Sequence, residues 1–244
     1  MKDNSLLQWI KQFQGKITTM VYTPLLGKPD PKHLAFLRDL AKEMEIEQTL
    51  YIPLHELNVV VFDFETSGFS PERGDKILSI GAVKSKKGNF KDTETFYSLV
   101  HYEGNLSHEI KLLTGLDEAD LKEAPTLSAV LIRFYQFVQS DTLVAHHASH
   151  EKKFLQHAHW KSFKKPYKHR IVDTSLVFNI ANPDRNLVSL EDYCINARVK
   201  IRNRHHALGD AIMTAELWQL YIKKLSNEGC YTLNDAYKRL AKKC

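Results

Sequence analysis

The spacing of apolar residues along the chain changes from helical to strand-like near residue 56. Upstream of that point, apolar side chains recur every three or four positions in two stretches, which is the spacing of one helix face. These stretches contain Leu6, Leu7, Ile10 and Phe13, then Leu34, Leu37, Leu40 and Met44. A proline-rich loop separates them. We therefore expect residues 1–55 to form an N-terminal helical extension, which is either structural or binds a partner or the substrate.

Downstream of residue 56, short runs of β-branched and aromatic residues alternate with helical patterns. Strands are predicted at Val59–Phe64, Ile77–Val83, Phe96–Val100, Thr142–Ala145 and Arg170–Val172, and the clearest helices at Thr126–Gln139 and Ala207–Lys224. Turn signals separate the first three strands, which favours antiparallel pairing. This order predicts an α/β fold with a mixed five-stranded sheet flanked by helices over residues 56–225. Residues 226–244 are expected to form a short amphipathic helical tail.

Composition places the chain among ordinary globular proteins. No apolar run in the 244 residues approaches the length of a membrane span, and the N-terminus lacks the apolar core of a signal peptide. Cys194, Cys230 and Cys244 are odd in number and far apart, so they fit neither a disulfide framework nor a zinc site. We expect a cytoplasmic protein with reduced thiols and no membrane partner.

The charge balance permits an anionic partner without requiring one, because the net charge is only +5. Basic residues cluster most densely in residues 161–170, a stretch that also carries two aromatic residues. Phosphate contacts and base stacking would use these residue types. A solvated loop broken by Pro166 explains the same composition equally well, so both interpretations stand.

The triplet Asp63-Phe64-Glu65, at the end of an apolar run, is the most informative in the chain. Side chains alternate along a strand, so Asp63 and Glu65 point to the same face. Two neighbouring carboxylates repel each other and resist burial, and a divalent metal removes that repulsion. A strand that emerges into solvent would give the same short pattern, so the motif needs support from the rest of the chain.

Further motifs supply that support in a fixed order. Ile80-Gly81-Ala82-Val83 comes first, then Leu113-Thr114-Gly115-Leu116, then Ala124-Pro125-Thr126, and finally His205 and Asp210 in a His-x-x-x-x-Asp spacing. Together with the Asp-Phe-Glu-Thr-Ser-Gly strand end, this order resembles the DnaQ-like, DEDDh branch of the ribonuclease H-like exonucleases. The resemblance covers roughly two thirds of the chain, from Leu57 to Leu225. It implies a ribonuclease H-like sheet, similar to that of bacterial proofreading exonucleases of the DNA polymerase III epsilon type.

The resemblance also implies the chemistry. Asp63, Glu65 and Asp210 match catalytic metal ligands of the family, and His205 matches its general base. A histidine titrates near neutral pH and can therefore take a proton from water. The implied activity is 3'→5' hydrolysis of DNA, in proofreading or repair, with two Mg²⁺ or Mn²⁺ ions and release of nucleoside 5'-monophosphates.

Substrate and partner contacts follow from the same resemblance. The positions that match substrate-binding segments of the family are Thr66, Ser67, Gly68, Leu113, Thr114 and His146. The implied partner is the single-stranded 3' end of a nucleic acid, and a DNA polymerase or replication factor is a further candidate. RNA is an open alternative to DNA, because no residue declares a contact to the 2' hydroxyl.

The second motif of the family departs from its usual form in this chain. Where the family has Asn, Phe and a ligand Asp, this chain has His147, His150 and Glu151. Glu151 still offers a carboxylate, one methylene farther from the backbone, and we assign it as a fourth metal ligand. Asp173 matches a position that caps a helix and is not assigned as a ligand.

Glu151 leaves three interpretations of the activity open. The enzyme is normal, or it is slow, or the chain is a binding module that keeps the fold without the catalysis. A ribonuclease that trims RNA is an alternative within the same family. A structural or interaction protein with a fortuitous Asp-Phe-Glu motif is the alternative outside it.

Overall fold

The computed structural model describes residues 48–86, 89–165, 167, 169–183 and 187–242. The chain divides into two compact units, residues 1–45 and residues 46–244, and all described residues belong to the second. The predicted N-terminal helical extension therefore lies outside the described residues, except for its last few positions.

A mixed five-stranded sheet forms the centre of the described domain, which confirms the predicted fold class. Its strands are β1 (Val59–Thr66), β2 (Ile77–Lys86), β3 (Asn89–Leu99), β4 (Thr142–Ala145) and β5 (Ile171–Asp173). They lie in the order β3-β2-β1-β4-β5. The β1–β2 and β2–β3 pairs are antiparallel, whereas the β1–β4 and β4–β5 pairs are parallel. β1 is central because its first four residues are apolar and buried on both faces.

Helices cover both faces of the sheet. In the described residues they are α1 (His108–Thr114), α2 (Glu118–Glu123), α3 (Leu127–Val138), α4 (Ser149–Phe163), α5 (Thr174–Ala181), α6 (Leu190–Ala197), α7 (Ala207–Asn227) and α8 (Leu233–Ala241), with a 3-10 helix at Pro71–Arg73. α1 and α2 are too short to show a helical period in the sequence, and side-chain caps at Ser107 and Asp117 begin them. None of the helices in this part of the chain is both long and apolar enough to cross a membrane.

β3 extends well beyond its predicted limits. It begins at Asn89 rather than Phe96, and its polar first half pairs with β2. β3 is an edge strand with one side open to solvent, so polar residues are tolerated there. The sequence of this half carries little strand signal for the same reason.

Each face of the sheet has its own apolar core. Val59 and Val61 of β1 join the core that α5, α6, α7 and α8 cover, whereas Val60 and Phe62 join the core beneath α3 and α4. Odd-numbered side chains of β1 therefore face α7, as the two-residue alternation of a strand requires. The predicted apolar stripe of α7 enters the first core, where Trp218 is fully buried.

The C-terminal segment, predicted as a helical tail, packs as part of the domain. α8 begins with a capping box at Thr232, and Leu233 and Ala236 lie in the same core as α7. The backbone N–H of Leu54 donates to the carbonyl of Tyr231 over 2.7 Å. This segment therefore shares one core with the sheet and its helices.

The start of α7 lies directly on β2 at Gly81. A Cβ added at Gly81 would lie 2.1 Å from the backbone nitrogen of Leu208 and 2.2 Å from the carbonyl carbon of Ala207. Gly81 pairs with Asp63 across the β1–β2 ladder. A glycine at this position therefore lets the first turn of α7 approach β1 beside Asp63.

Replacing Gly81 with alanine should destabilise the domain by at least about 2 kcal/mol, because helix backbone rather than a flexible side chain has to move. Gly229→Ala is the matched control: Gly229 has a φ of 73°, and a Cβ there would meet no heavy atom closer than 3.9 Å. It should lower the free energy of unfolding by only about 1 kcal/mol, from left-handed backbone strain. Denaturant unfolding measures the loss of unfolding free energy in both variants. Equal losses would show that α7 can move away from β2 far enough to admit a methyl group.

Candidate active site

β1 carries Asp63 and Glu65 on the face that α7 covers. Because the strand alternates, both carboxylates share the direction of Val59 and Val61, which pack in the core under that helix. Glu65 is 8% exposed, and Asp63 is partly buried. The strand end therefore does not emerge into solvent, which removes the simplest alternative for this motif.

Asp210 reaches the same place from the first turn of α7. One oxygen from each of Asp63, Glu65 and Asp210 lies within 4.8 Å of the others. Asp210 is only 4% exposed although it lies off the apolar stripe of its helix, because the start of α7 rests on β2 at Gly81. The structure thus brings together the strand motif and the helix motif that the sequence placed far apart.

Glu151 approaches these carboxylates from the first turn of α4. It is 4% exposed, and its Oε2 atom is buried without a hydrogen-bond partner among the described residues. It falls outside the group of three whose oxygens lie within 4.8 Å. Burial, and then the charge of Glu151, raises the pKa of Asp63 well above its ordinary value. Asp63, Glu65, Glu151 and Asp210 are termed the acidic cluster below.

Burial raises the pKa of each carboxyl in the acidic cluster, and repulsion by other carboxylates of the cluster adds to it for Asp63, Glu65 and Glu151. Burial, and then the charge of Asp210, raises the pKa of Glu65 to about 8. Burial raises the pKa of Glu151 to about 8, with Asp173 and Glu65 adding to it, and burial raises the pKa of Asp210 to about 6. The protein alone therefore keeps protons on groups that ordinarily ionise near pH 4.

The acidic cluster has the donor chemistry of a divalent-cation site. All of its donors are carboxylate oxygens, which Mg²⁺ and Mn²⁺ prefer. Asp210 Oδ1 and Glu151 Oε2 are buried and have no hydrogen-bond partner in the part of the chain that the structure describes. Buried polar atoms without partners are rare in folded proteins and call for a ligand or another explanation. Asp63, Glu65 and Asp210 therefore fit a divalent-cation site, whereas the assignment of Glu151 as a fourth ligand stays a prediction.

His205 lies in the loop before α7, in a left-handed backbone conformation with a φ of 62°. Its backbone N–H donates to Asp210 Oδ2 over 3.3 Å. Burial, and then the charge of Arg204, lowers the pKa of His205, so its ring is neutral near pH 7. A neutral imidazole beside the acidic cluster has the protonation state that a general base needs.

Arg204 is a contact of the site that no sequence pattern indicated. Its guanidinium group pairs with Asp210, and its Nη1 atom lies 3.4 Å from His205 Nδ1. Its Nε atom lies 3.7 Å from Glu191 Oε1. One positive charge therefore offsets part of the repulsion within the acidic cluster. A lone arginine before a histidine motif looks like any surface residue in the sequence.

The predicted substrate segment Thr66-Ser67-Gly68 begins the connection from β1 to β2. Ser67 Oγ accepts a hydrogen bond from the backbone nitrogen of Lys76 over 2.9 Å, and Thr66 Oγ1 donates to the carbonyl of Gly68 over 2.7 Å. A Cβ at Gly68 would lie 2.4 Å from Asp75 Oδ2. A larger residue at position 68 would therefore have to displace the Asp75 carboxylate, independently of any approaching nucleotide.

His150 and Phe69 lie beside this connection. His150 Nε2 is 3.4 Å from Thr66 Oγ1, and the rings of His150 and Phe69 are 5.9 Å apart. Phe69 is 85% exposed, although its ring is large and apolar. His150 stood out in the sequence only as a departure from the family pattern, and Phe69 carried no periodic signal at all.

The remaining predicted substrate residues make contacts within the protein. His146 Nδ1 is 2.8 Å from Thr174 Oγ1, and burial lowers the pKa of His146 to about 4. Thr114 donates to the carbonyl of Ile110 at the end of α1, and Leu113 is exposed beside it. Among the described residues, no hydrogen bond or ion pair joins Leu113 or Thr114 to the acidic cluster.

Asp173 has the capping role that its position predicts. It is the N-cap of α5, and its Oδ1 atom accepts a hydrogen bond from the backbone nitrogen of Ser175 over 2.9 Å. Its carboxylate is thus held by the start of a helix, close enough to Glu151 to influence the pKa of that group.

Comparison with known proteins identifies the family. The exonuclease family model RNase_T matches residues 60–218, a range that contains the whole acidic cluster and His205. The chain belongs to the RNase_T exonuclease family. A DNA polymerase III PolC-type protein of Clostridium perfringens is 34% identical over 182 residues, which is 73% of this chain and 12% of that protein. A DNA polymerase III subunit epsilon-like protein of Rhodobacter capsulatus is 31% identical over 183 residues, which is 74% of this chain and 26% of that protein.

A solved structure supports the fold of this RNase_T exonuclease. The nuclease domain of 3'hExo, a DEDDh family member bound to rAMP, matches it with a TM-score of 0.60 at 19% identity. The match covers 71% of this chain and 93% of that domain. At this identity the match shows a shared ribonuclease H-like fold. Family and fold therefore agree with the resemblance seen in the sequence, although the chain spans only a small part of its polymerase relatives.

The raised pKa values predict that the metal-free exonuclease loses stability as pH rises. Glu65 and Glu151 have pKa values of about 8 in the folded chain, against an ordinary value of 4.5. Between those values the folded state binds more protons than the unfolded state. The free energy of unfolding should therefore fall by up to about 1.4 kcal/mol per pH unit for each such carboxyl. Denaturant unfolding with a chelator, between about pH 5 and about pH 8, measures the slope.

Matched variants isolate the source of that slope. Glu65→Gln should make the slope shallower by up to about 1.4 kcal/mol per pH unit, because an amide does not titrate and Glu151 still does. Glu109→Gln at an exposed position of α1 should leave the slope unchanged. Mg²⁺ should restore stability most at the high end of the pH range, since ions and protons compete for the same oxygens. A slope that Glu65→Gln does not alter would contradict the burial of the acidic cluster.

Proposed function

We propose that this chain is a 3'→5' exonuclease that depends on divalent metal ions and releases nucleoside 5'-monophosphates from the 3' end of DNA. The observation that carries the proposal is the acidic cluster, in which Asp63, Glu65 and Asp210 offer oxygens within 4.8 Å of one another. Glu151 and a neutral His205 lie beside them. Membership of an exonuclease family supports the reaction class.

The acidic cluster would hold two divalent ions, Mg²⁺ or Mn²⁺. When bound, such ions activate a water molecule for attack on the phosphate and stabilise charge on the leaving 3' oxygen. The contribution of the protein is to hold the carboxylates together before substrate arrives. β1, α4 and α7 each fix at least one of them, and each element is anchored in an apolar core.

His205 would take a proton at a ring nitrogen from the attacking water. Its lowered pKa keeps the ring unprotonated between turnovers, which is the state in which it can act. Burial and the nearby charge of Arg204 also favour release of that proton to solvent afterwards. The base would therefore be ready for the next nucleotide.

The terminal nucleotide would bind beside the connection from β1 to β2. Thr66 and His150 adjoin each other there, and the exposed ring of Phe69 offers a surface on which a base can stack. The Ser67 hydroxyl already accepts a bond within the connection, so its backbone is the better candidate contact. His146 stays a candidate substrate contact deeper in the domain. Its Nε2 atom is buried and has no hydrogen-bond partner among the described residues.

DNA is the proposed substrate, and a DNA polymerase or replication factor is the proposed partner. The support is the identity of the relatives, which are DNA polymerase III proteins that this chain matches over 12% and 26% of their lengths. In this arrangement the chain would remove nucleotides in proofreading or repair while its partner synthesises DNA. We propose that this activity takes place in the cytoplasm.

A weakened enzyme or binding-only module is the second candidate, and Glu151 supports it. Glu151 lies outside the group of three carboxylates, although it is buried and its Oε2 atom is unpartnered in the described part of the chain. Glutamate places its carboxylate one methylene farther out than aspartate, and productive sites tolerate errors of only about 0.5 Å. Such a protein would bind a 3' end but cut it slowly or not at all.

Digestion of a 5'-labelled single-stranded DNA with Mg²⁺ or Mn²⁺ should give a ladder that shortens from the 3' end, and a chelator should abolish it. A matched RNA should be cut more slowly. Asp210→Ala should lower the rate by more than about a hundredfold, because it removes a ligand and also the nearer of the two carboxylate partners of Arg204. Asp120→Ala, which removes an exposed carboxylate from α2, is the control and should have no effect.

Two substitutions of Glu151 separate the two candidates in the same assay. Under the proposal the wild type makes the ladder, Glu151→Gln makes it far more slowly, and Glu151→Asp keeps the activity. A ladder from Glu151→Asp alone would instead establish the weakened module. If neither the wild type nor Glu151→Asp cuts either strand, the exonuclease assignment has to be abandoned.

A further inference from the structure

The exposed side of α4 carries a row of basic and aromatic side chains. At 3.6 residues per turn, the members of this row fall within an arc of about 100°. They are His150, Lys153, His157, Trp160, Lys161 and, as the C-cap, Lys164. Lys153, His157, Lys161 and Lys164 are exposed, and Trp160 is 57% exposed. These six residues are termed the α4 face.

The α4 face is far more basic than the chain as a whole, whose net charge is only +5. The acidic residue of α4, Glu151, is buried in the acidic cluster and does not contribute to this face. Within the described ranges, Lys153, Lys161 and Lys164 form no ion pair with a carboxylate. Their charges are therefore available to an anion from outside the domain.

The α4 face begins at the acidic cluster and leads away from it. His150 adjoins Thr66, and Glu151 lies in the first turn of the same helix. Lys164 lies about 21 Å farther along the helix axis, at 1.5 Å per residue. A stacked strand rises roughly 3.4 Å per nucleotide, so this length accommodates up to about six nucleotides.

A lysine from the β1–β2 connection adds to the charge of the α4 face. The 3-10 helix Pro71–Arg73 packs against α4, and Lys76 follows it closely in the chain. Burial, and then the neighbouring ammonium group of Lys161, lowers the pKa of Lys76. The adjacent Asp75 offsets part of this effect on the pKa of Lys76, and its Oδ2 atom also accepts a hydrogen bond from the backbone nitrogen of Ser70. An anion bound between the two ammonium groups would relieve their repulsion.

We infer that the α4 face, together with Lys76, binds the single-stranded segment of nucleic acid that precedes the 3' end being cut. The inference rests on the proposed exonuclease function. It adds the path that the strand follows on the protein and the number of nucleotides that the protein contacts. Lysines at helical spacing can contact successive phosphates. Trp160, among those lysines, offers an indole surface for one base.

The composition of the α4 face favours a nucleic-acid strand over a membrane surface. A helix that lies in a membrane interface needs a broad apolar strip beneath its charges. Trp160 is the one apolar side chain among the six residues of the α4 face. Ammonium groups interleaved with an exposed aromatic ring are the combination that single-strand binding surfaces use.

The test compares a long and a short substrate in the variant Lys153→Ala/Lys161→Ala/Lys164→Ala. The ratio of kcat/KM for a long single-stranded DNA to kcat/KM for a dinucleotide should fall about 10- to 100-fold at low salt, because a dinucleotide does not extend along the α4 face. The slope of log kcat/KM for the long strand against log salt should become shallower by about 2, since each phosphate contact contributes roughly 0.7.

Two further variants complete the test. Lys122→Ala/Lys223→Ala/Lys238→Ala removes the same charge from exposed positions on α2, α7 and α8, and should change neither the ratio nor the slope. Trp160→Ala should weaken binding of the long strand about tenfold, and Trp160→Phe should recover most of that loss because a phenyl ring still stacks.

The outcomes separate this inference from the proposed function. If the α4 variant and the control variant give the same ratio and slope, the strand does not follow the α4 face, and the exonuclease activity of the wild type still stands. If the wild type cuts neither substrate, the proposed function fails, and binding of a labelled strand in the presence of chelator then decides the inference. If the binding affinity of the triple-lysine variant of α4 depends less steeply on salt than that of the wild type, the path along the α4 face is supported. An equal dependence in the two proteins overturns it.

Discussion

The contact between β2 and α7 at Gly81 is the constraint on which the acidic cluster depends. Asp63 and Glu65 come from the sheet and Asp210 from a helix, so their oxygens meet only where the helix lies closer to the sheet than ordinary side chains allow. Gly81 pairs with Asp63 across the ladder and has no side chain to keep the helix away. The same close approach buries the carboxylates, and burial is the leading cause of their raised pKa values.

Like charges buried together oppose folding, so the rest of the domain has to tolerate the acidic cluster. The apolar cores on both faces of β1 hold the strand in place, and Arg204 neutralises part of the charge. Buried carboxylates whose surroundings raise their pKa values are typical of a functional site.

The sequence predicts part of this site from two sources, the alternation of side chains along a strand and the order of motifs along the chain. Strand alternation alone places Asp63 and Glu65 on one face, and the His-x-x-x-x-Asp spacing adds Asp210 only once the family resemblance is recognised. The α4 face depends instead on sheet order, which puts the start of α4 beside the end of β1, and Arg204 depends on the contact that brings the start of α7 to β2. A lysine on an exposed helix has the same local pattern wherever that helix lies. The polar first half of β3 cannot be predicted from its own residues either, because it is its pairing with β2 that makes it a strand.

The hydrogen bond from Leu54 to Tyr231 joins the segment that leads into β1 to the segment that leads into α8. Pro53 and Thr232 form a β-bridge beside it, and Asn234 donates to the carbonyl of Leu50. The carboxylates of β1 lie toward the other end of that strand. A displacement of residues 50–54 away from residues 231–234 therefore has to break these backbone hydrogen bonds before it moves the strand that carries Asp63 and Glu65.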